Sequence, residues 1–77
     1  MKKYYEINLV NYDDNNVPYS VNTVHCVAIK PINKERATEF CRDDLGLDFE
    51  SVFSIEETTL DEVLEYVDNE SDIPIYQ

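Results

Sequence analysis

The two signs of charge are separated along this chain. All six lysine and arginine residues fall within residues 1–42, together with five carboxylates, whereas residues 43–77 carry twelve carboxylates and no lysine or arginine. An ionised carboxylate without a cationic partner is rarely buried, so any fold of this chain has to leave most of its second half in contact with water. The sequence therefore predicts a domain whose acidic surface is built from residues 43–77.

Size and composition indicate a folded chain rather than a disordered one. The 77 residues are 43% hydrophobic and include six tyrosines and three phenylalanines, enough for a small core despite a formal net charge of -11. We expect residues 1–77 to form one compact domain. No apolar run reaches the roughly 18 residues of a membrane span, and the first residues lack the apolar segment of a secretory signal. These features predict a cytoplasmic protein without membrane contact, in the host cytoplasm if the source is viral.

The first half of the chain has the pattern of two β-strands. Residues 4–12 alternate between apolar and polar side chains, and residues 21–30 are apolar on both faces, which is typical of a central strand. Between them, residues 13–18 are a run of turn formers that predicts an exposed loop. The residues of the first strand expected to face the core are Tyr5, Ile7 and Leu9.

Two further strands are expected in the second half. Residues 49–57 alternate again, so that one face is predicted to be buried and the other acidic. Residues 73–76 are expected to add a short strand, which its proline restricts to a sheet edge. The residues of 49–57 expected to face the core are Phe49, Ser51, Phe53 and Ile55.

Two helices are predicted by capping signals and apolar spacing. Asn33 is placed to cap a first helix that Gly46 ends. Thr59 and Glu62 have the form of a capping box, and Leu60, Val63, Leu64 and Val67 then recur at helical spacing. The second helix is expected to continue to about Asp68.

The resulting order is strand, strand, helix, strand, helix and short strand. It predicts an α+β fold, a small two-layer sandwich with a mixed sheet of three to four strands and two helices packed on one face. The first two strands are expected to pair antiparallel, and the helix between the second and third strands predicts a right-handed parallel crossover.

The cysteines and the single histidine give little support to a metal site or to catalysis. Cys26 and Cys41 form no CxxC pair, and buried reduced thiols are favoured over a disulfide between them. His25 is expected to be a strand residue at a sheet margin, and the acidic run 13–18 lacks the spacing of a calcium loop. Only one glycine is present, and adjacent carboxylates on one element diverge. We therefore expect no metal, no cofactor and no enzymatic activity.

The distribution of carboxylates around the second predicted helix indicates a binding surface. Negative charge late in a helix is unfavourable, and like charges four residues apart, such as Asp61 and Glu65, cost about 0.2 to 0.5 kcal/mol each. One lysine in this region would relieve the repulsion, and the sequence has none there. The absence of such a lysine indicates that the negative charge itself has a role. The candidate partner-binding residues are Glu56, Glu57, Asp61, Glu62, Glu65, Tyr66, Asp68, Glu70 and Asp72.

In size and composition the chain resembles the small acidic phage proteins that inhibit host nucleic-acid machinery, a class that includes DNA mimics and anti-CRISPR proteins. The resemblance implies an inhibitor that binds the basic, nucleic-acid-binding surface of a target protein and serves evasion of host defence. Direct binding of nucleic acid is not expected, because the net charge repels phosphate. Aromatic residues would add specificity. The candidates are Tyr66, Tyr76, Tyr4, Tyr12 and Tyr19.

The alternative is a small self-associating or accessory module whose acidic face serves only solubility. Such a module would form a homodimer through an edge strand, either residues 73–76 or the first strand.

Overall fold

The computed structural model describes residues 2–77, which form a four-stranded mixed sheet with short helical segments. The strands are β1 (Lys3–Tyr12), β2 (Pro18–Ala28), β3 (Ser51–Thr58) and β4 (Ile75–Tyr76). Their order in the sheet is β3-β1-β2-β4. β1 pairs antiparallel with β2 and with β3, whereas β4 runs parallel to β2. The predicted α+β class and mixed sheet are confirmed, but β1 is a central strand and offers no free edge.

The connection between β1 and β2 is a tighter hairpin than the predicted loop. One carboxylate oxygen of Asp13 accepts hydrogen bonds from the backbone N–H groups of Asn15 and Val17, at 2.8 and 2.9 Å. Asn16 adopts a φ of 60°, a left-handed conformation that asparagine tolerates better than most residues. Because the turn closes within these residues, β2 already begins at Pro18, which pairs with Tyr12.

One extra residue interrupts the pairing on each side of β1. On the β2 side, Leu9 pairs with Asn22 and Val10 with Ser20. On the β3 side, Asn8 pairs with Ser54 and Leu9 with Val52. Val21 in β2 and Phe53 in β3 therefore have no partner in β1, and each is a β-bulge. The bulge overturns the alternation predicted for residues 49–57, since Val52 is buried and the side chain of Phe53 is 54% exposed.

The side chains of β1 and β2 divide the sheet into two faces. The front face carries Tyr5, Ile7 and Leu9 of β1, and the back face carries Tyr4, Glu6 and Asn8. The main core covers the front face, and a second small core lies on the back face at one end. The buried residues of the main core are Ile7, Leu9, Val24, Cys26, Ala28, Ala37, Phe40, Cys41, Phe49, Val52 and Tyr76. The second core contains Val27, Val63 and Ile73, with Tyr4, Leu60 and Val67 packed against them.

The first helical segment covers the front face as its sequence predicts. α1 (Lys34–Glu39) is capped by Asn33, whose side-chain oxygen accepts from the backbone N–H of Arg36 at 2.8 Å. A π-helical turn, Phe40–Asp44, follows it, and the backbone N–H of Leu45 donates to the Phe40 carbonyl at 3.1 Å. Gly46, at a φ of 66°, then ends the segment in the left-handed conformation that glycine accommodates.

The second helical segment is much shorter than predicted. α2 (Leu60–Val63) is a single turn, capped by Thr59, whose hydroxyl accepts from the backbone N–H of Glu62 at 3.3 Å. Beyond it the hydrogen bonds are of mixed type. The N–H groups of Glu65 and Tyr66 donate to carbonyls three residues earlier, whereas that of Val67 donates to the carbonyl of Val63, four residues earlier. Carboxylates at the end of a helix oppose its dipole, and no cation is nearby in sequence to offset them. The last helical residues, Glu70–Asp72, form a 3-10 turn.

The two helices pack on opposite faces of the sheet, which corrects the prediction of one shared face. Ala37 of α1 belongs to the main core of the front face, and Val63 of α2 belongs to the small core of the back face. The reason is the alternation of side chains in β2. Val27 lies on the opposite face from Cys26 and Ala28, so a second element has to pack on that face to bury it. Within residues 2–77 no helix combines the length and the apolar character that crossing a membrane requires.

The two cysteines are free thiols in the main core. Neither Cys26 nor Cys41 has exposed surface. Burial raises the pKa of the Cys26 thiol to about 12, with a smaller contribution from the neighbouring Cys41, and burial raises the pKa of Cys41 to about 11. Because the thiolate is the reactive form, both residues are chemically inert in the folded protein.

We expect the free energy of unfolding to fall as the pH rises from about 9 towards about 11. Unfolded thiols lose their protons from the ordinary value of 9.0 upward, whereas the folded thiols keep theirs to a higher pH, so deprotonation favours the unfolded chain. Urea denaturation at a series of pH values would measure the slope. A variant with Cys26→Ala and Cys41→Ala is the reference, since it retains the tyrosines and lysines. An equally steep fall in that variant would contradict the assignment.

Candidate functional site

All nine residues predicted to bind a partner are exposed. Glu56 and Glu57 lie at the end of β3, and Asp61 and Glu62 lie in α2. Three more lie in the turn that follows, Glu65, Tyr66 and Asp68. The last two, Glu70 and Asp72, are in the 3-10 turn. The predicted carboxylate array along one helix does not exist, because α2 ends at Val63.

Two of these carboxylates are partly neutralised. Glu70 contacts the amine of Lys2 at 3.5 Å and accepts from the hydroxyl of Tyr4 at 3.4 Å. Glu57 contacts the amine of Lys3, also at 3.5 Å. Both ion pairs are exposed, so each contributes little to stability. Glu57 and Glu70 nevertheless each have a lysine partner, unlike the other predicted site residues.

Several carboxylates without a lysine or arginine partner lie together on the back face. Glu6 of β1 pairs directly with Glu56 of β3, so two negative charges face the same side on neighbouring strands. Glu62 and Glu65 approach the same area from α2 and the turn after it. Three of these carboxylates, together with a histidine, a threonine and a tyrosine, line a depression of about 310 Å³, which we call the acidic depression. Its residues are Glu6, His25, Thr58, Glu62, Glu65 and Tyr66.

None of the four carboxylates around the acidic depression forms an ion pair with a lysine or arginine among residues 2–77. The Nε2 atom of His25 lies 4.0 Å from the Glu6 carboxylate. That distance is beyond a hydrogen bond. Glu6 was not predicted for the site because it belongs to the half of the chain that contains the basic residues. The alternation of β1 nevertheless places Glu6 on the back face, together with Tyr4 and Asn8.

A stacked pair of rings forms one wall of the acidic depression. The rings of His25 and Tyr66 are nearly parallel, with centroids 4.5 Å apart and an interplanar angle of 13°. The side chain of His25 is only 9% exposed, whereas Tyr66 is 69% exposed. Tyr66 therefore covers His25 with one face of its ring and remains open to solvent elsewhere.

The other predicted aromatic contacts differ in accessibility. Tyr76 is buried in the main core, where its ring packs edge-on against Phe40 with centroids 5.5 Å apart. Tyr4 is half-buried beside the small core. Tyr12 and Tyr19 are exposed, but they lie at the hairpin end of the sheet. Tyr66 is thus the aromatic residue that accompanies the acidic depression.

Neutral polar side chains hold the floor and rim of this region. The hydroxyl of Thr58 donates to the carboxylate of Glu62 at 2.5 Å, which fixes that acid over the end of β3. The amide nitrogen of Asn8 donates to the hydroxyl of Ser54 at 2.9 Å, and the hydroxyl of Thr23 donates to the amide oxygen of Asn8 at 3.0 Å. Asn8 thereby joins three strands next to the row that contains Glu6.

The chemistry offered by this surface is cation binding. Within residues 2–77 no group of three or more histidine, cysteine, aspartate or glutamate side chains is arranged to hold a metal ion. The depression combines three carboxylates, which accept hydrogen bonds when ionised, with the hydroxyls of Thr58 and Tyr66 and the imidazole of His25, which can also donate.

Replacing Glu56 by glutamine is expected to raise the free energy of unfolding by about 0.2 to 1 kcal/mol at low salt, because it removes the like charge opposite Glu6. The gain should shrink as salt is added. Denaturant unfolding at two salt concentrations would measure it. Glu57→Gln is the matched control, since it removes the same charge from the next residue but also the contact with Lys3. An equal gain from both variants would show that only net charge matters.

No protein-family model matches this chain, and no curated protein or solved structure gives a significant match.

Proposed function

We propose that this protein is a non-enzymatic interaction protein that binds the basic, nucleic-acid-binding surface of a target protein and inhibits it. The observation that carries the proposal is the back-face cluster of Glu6, Glu56, Glu62 and Glu65, none of which has a lysine or arginine partner among residues 2–77. A protein that needed its charge only for solubility would gain stability from a cation placed among these groups.

Electrostatic attraction would bring the two proteins together. The formal charge of -11 on 77 residues produces a strong negative field, which accelerates association with a basic surface and weakens as salt is added. Three of the six lysine and arginine residues are held by other groups of the chain. Lys2 and Lys3 are engaged with Glu70 and Glu57, and Arg42 donates to the backbone carbonyls of Phe49 and Glu50.

Binding in this way would exclude nucleic acid from the target. The carboxylates pair with the lysine and arginine side chains that otherwise contact phosphates, and the exposed ring of Tyr66 offers an aromatic contact beside them. Inhibition then needs no chemical step. In this function the protein resembles the small acidic phage proteins that block host nucleic-acid machinery and evade host defence.

Capture from a bacterial lysate tests the proposal. We expect the immobilised protein to retain nucleic-acid-binding proteins at low salt and to release them at high salt or when duplex DNA is added as a competitor. A site variant with Glu6→Gln, Glu56→Gln, Glu62→Gln and Glu65→Gln should lose this capture. Glu6 is half-buried and the other three side chains are exposed, so these isosteric changes should leave the fold intact, which circular dichroism would check.

A variant of equal charge provides the control. Glu35→Gln, Glu39→Gln, Asp43→Asn and Asp44→Asn remove four negative charges from α1 and the π-helical turn on the other side of the sheet. This control should retain the captured proteins. Loss of capture in both variants would mean that binding depends only on the net charge of the protein. Capture that survives in the site variant would overturn the proposal.

The exposed apolar side chains at the hairpin end of the sheet favour a second candidate function, self-association. Phe53 is 54% exposed and lines a cleft on the back face together with Val10 and Pro18. Tyr12, whose hydroxyl is hydrogen-bonded to Ser51 of β3, is also exposed. Two copies of the chain could bury these side chains against each other, and the protein would then be an accessory or structural module.

The proposed inhibitor is expected to be a monomer at all concentrations tested by sedimentation velocity. A mass that doubles with concentration, and that returns to the monomer value in Phe53→Ser, would support self-association instead. Phe53 is a bulge residue outside the core, so the substitution should leave the fold intact.

A further inference from the structure

We infer that the open edge of β2 binds an extended, basic segment of the partner as an additional strand. This inference rests on the proposed function and adds the backbone contact that the partner would make. β4 pairs only with Val27 and Ala28 of β2, and no other strand of residues 2–77 lies on that side. Residues 22–25 instead line a groove of about 760 Å³, which we call the edge groove.

The pairing of β4 with β2 ends at a proline. The backbone N–H of Val27 donates to the carbonyl of Pro74 at 2.9 Å. Hydrogen-bonding directions alternate along a strand, so the N–H and C=O groups of His25 point to the same side as those of Val27. The next bond of the ladder would run from the N–H of residue 74 to the carbonyl of His25, but a proline has no N–H. The backbone groups of His25 therefore face the edge groove without a strand partner among residues 2–77.

The bulge at Val21 sets the other limit of this open stretch. Because a bulge breaks the ladder, regular pairing is possible over residues 22–26, about 17 Å of strand. One donor within it is already used, since the N–H of Thr23 donates to the side-chain oxygen of Asn22 at 2.9 Å. A segment of about five residues thus fits between the bulge and Pro74.

The edge groove has an apolar wall on each side of the sheet. Leu45 and Leu47 pack against the main core on the front face, and Val67 packs against the small core on the back face. Tyr66, the residue before Val67, stacks on the ring of His25 and is 69% exposed. Side chains alternate between the two faces of a strand, so an added strand would contact both walls. In this mode of binding the backbone supplies affinity and the walls supply selectivity.

The charge around the edge groove favours a basic segment. Glu6 and Asp72 line the groove, and no lysine or arginine of residues 2–77 does. A second copy of the chain is a poor occupant, since two molecules with a formal charge of -11 repel each other. The occupant is therefore an extended segment in which basic residues alternate with apolar ones.

Nuclear magnetic resonance titration with the blocked peptide Lys-Val-Lys-Val-Lys tests the edge groove. We expect the peptide to shift the backbone amide signals of Thr23, Val24 and His25. At saturation it should slow hydrogen exchange at the His25 amide by at least about fivefold. The same peptide with every backbone nitrogen methylated keeps its charge and side chains but loses its donors, so it should bind at least about fivefold more weakly. Equal binding of the two peptides would contradict strand addition.

A pair of aromatic variants tests the wall of the groove. Tyr66→Ser removes an exposed ring beside the groove and should weaken binding of the lysine peptide about threefold. Phe53→Ser removes an exposed ring outside the groove and should leave binding unchanged. Neither side chain belongs to a buried core, and the amide spectrum would show that each variant is folded. Equal weakening by the two variants would place the peptide elsewhere.

Three further results would overturn the inference. They are unmoved amide signals at residues 23–25, equal binding of the peptide Glu-Val-Glu-Val-Glu, and a shift of the same signals with protein concentration alone. The last result would identify a second copy of the chain as the occupant.

The capture experiment decides the proposed function separately. Capture of nucleic-acid-binding proteins without peptide binding at the edge groove would mean that the partner is held by the acidic face and adds no strand. Peptide binding without capture would support the edge groove and count against the proposed class of target.

Discussion

The pairing of β1 with both β2 and β3 is the interaction on which the rest of the structure depends. It places His25, Glu6 and Glu56 in one row across the back face, and Thr23, Asn8 and Ser54 in the next. The front face of the same strand supplies Ile7 and Leu9, which are fully buried. One strand therefore carries both the centre of the core and the centre of the candidate site. A change that shifted its register by one residue would exchange the two faces and bury the carboxylates.

The distribution of apolar contacts explains how so acidic a chain remains folded. The front face has a continuous core that includes α1 and the π-helical turn, whereas the second core on the back face is limited to the end where Val27, Val63 and Ile73 meet. The carboxylates lie over the part of the sheet that is not needed for burial. Their mutual repulsion is exerted across water, where it is weak and screened. The hydrogen bonds of Asn8 hold the three strands together where apolar cover is absent.

Local signals in the sequence predict the α+β class, the inward face of β1 and the helix that begins after Asn33 and ends before Gly46. They fail where the outcome depends on contacts between distant residues. The alternation in residues 49–57 gave Phe53 an inward position, but β1 fixes a register in which Val52 faces the core. Apolar spacing predicted a helix to Asp68, although no basic residue was present to offset the charge at its end. Glu62, Glu65 and Tyr66 were predicted for the site, whereas Glu6 and His25 join them only through strand pairing.

The positions of the two bulges affect how the sheet meets other strands. β3 forms one border of the sheet, and β4 covers only Val27 and Ala28, so most of β2 forms the other. Phe53 interrupts the first border and Val21 the second, close to the same step of β1. A bulge breaks the regular ladder of donors and acceptors that an incoming strand would need. Neither border is thus a regular template for the addition of strands in a growing fibril.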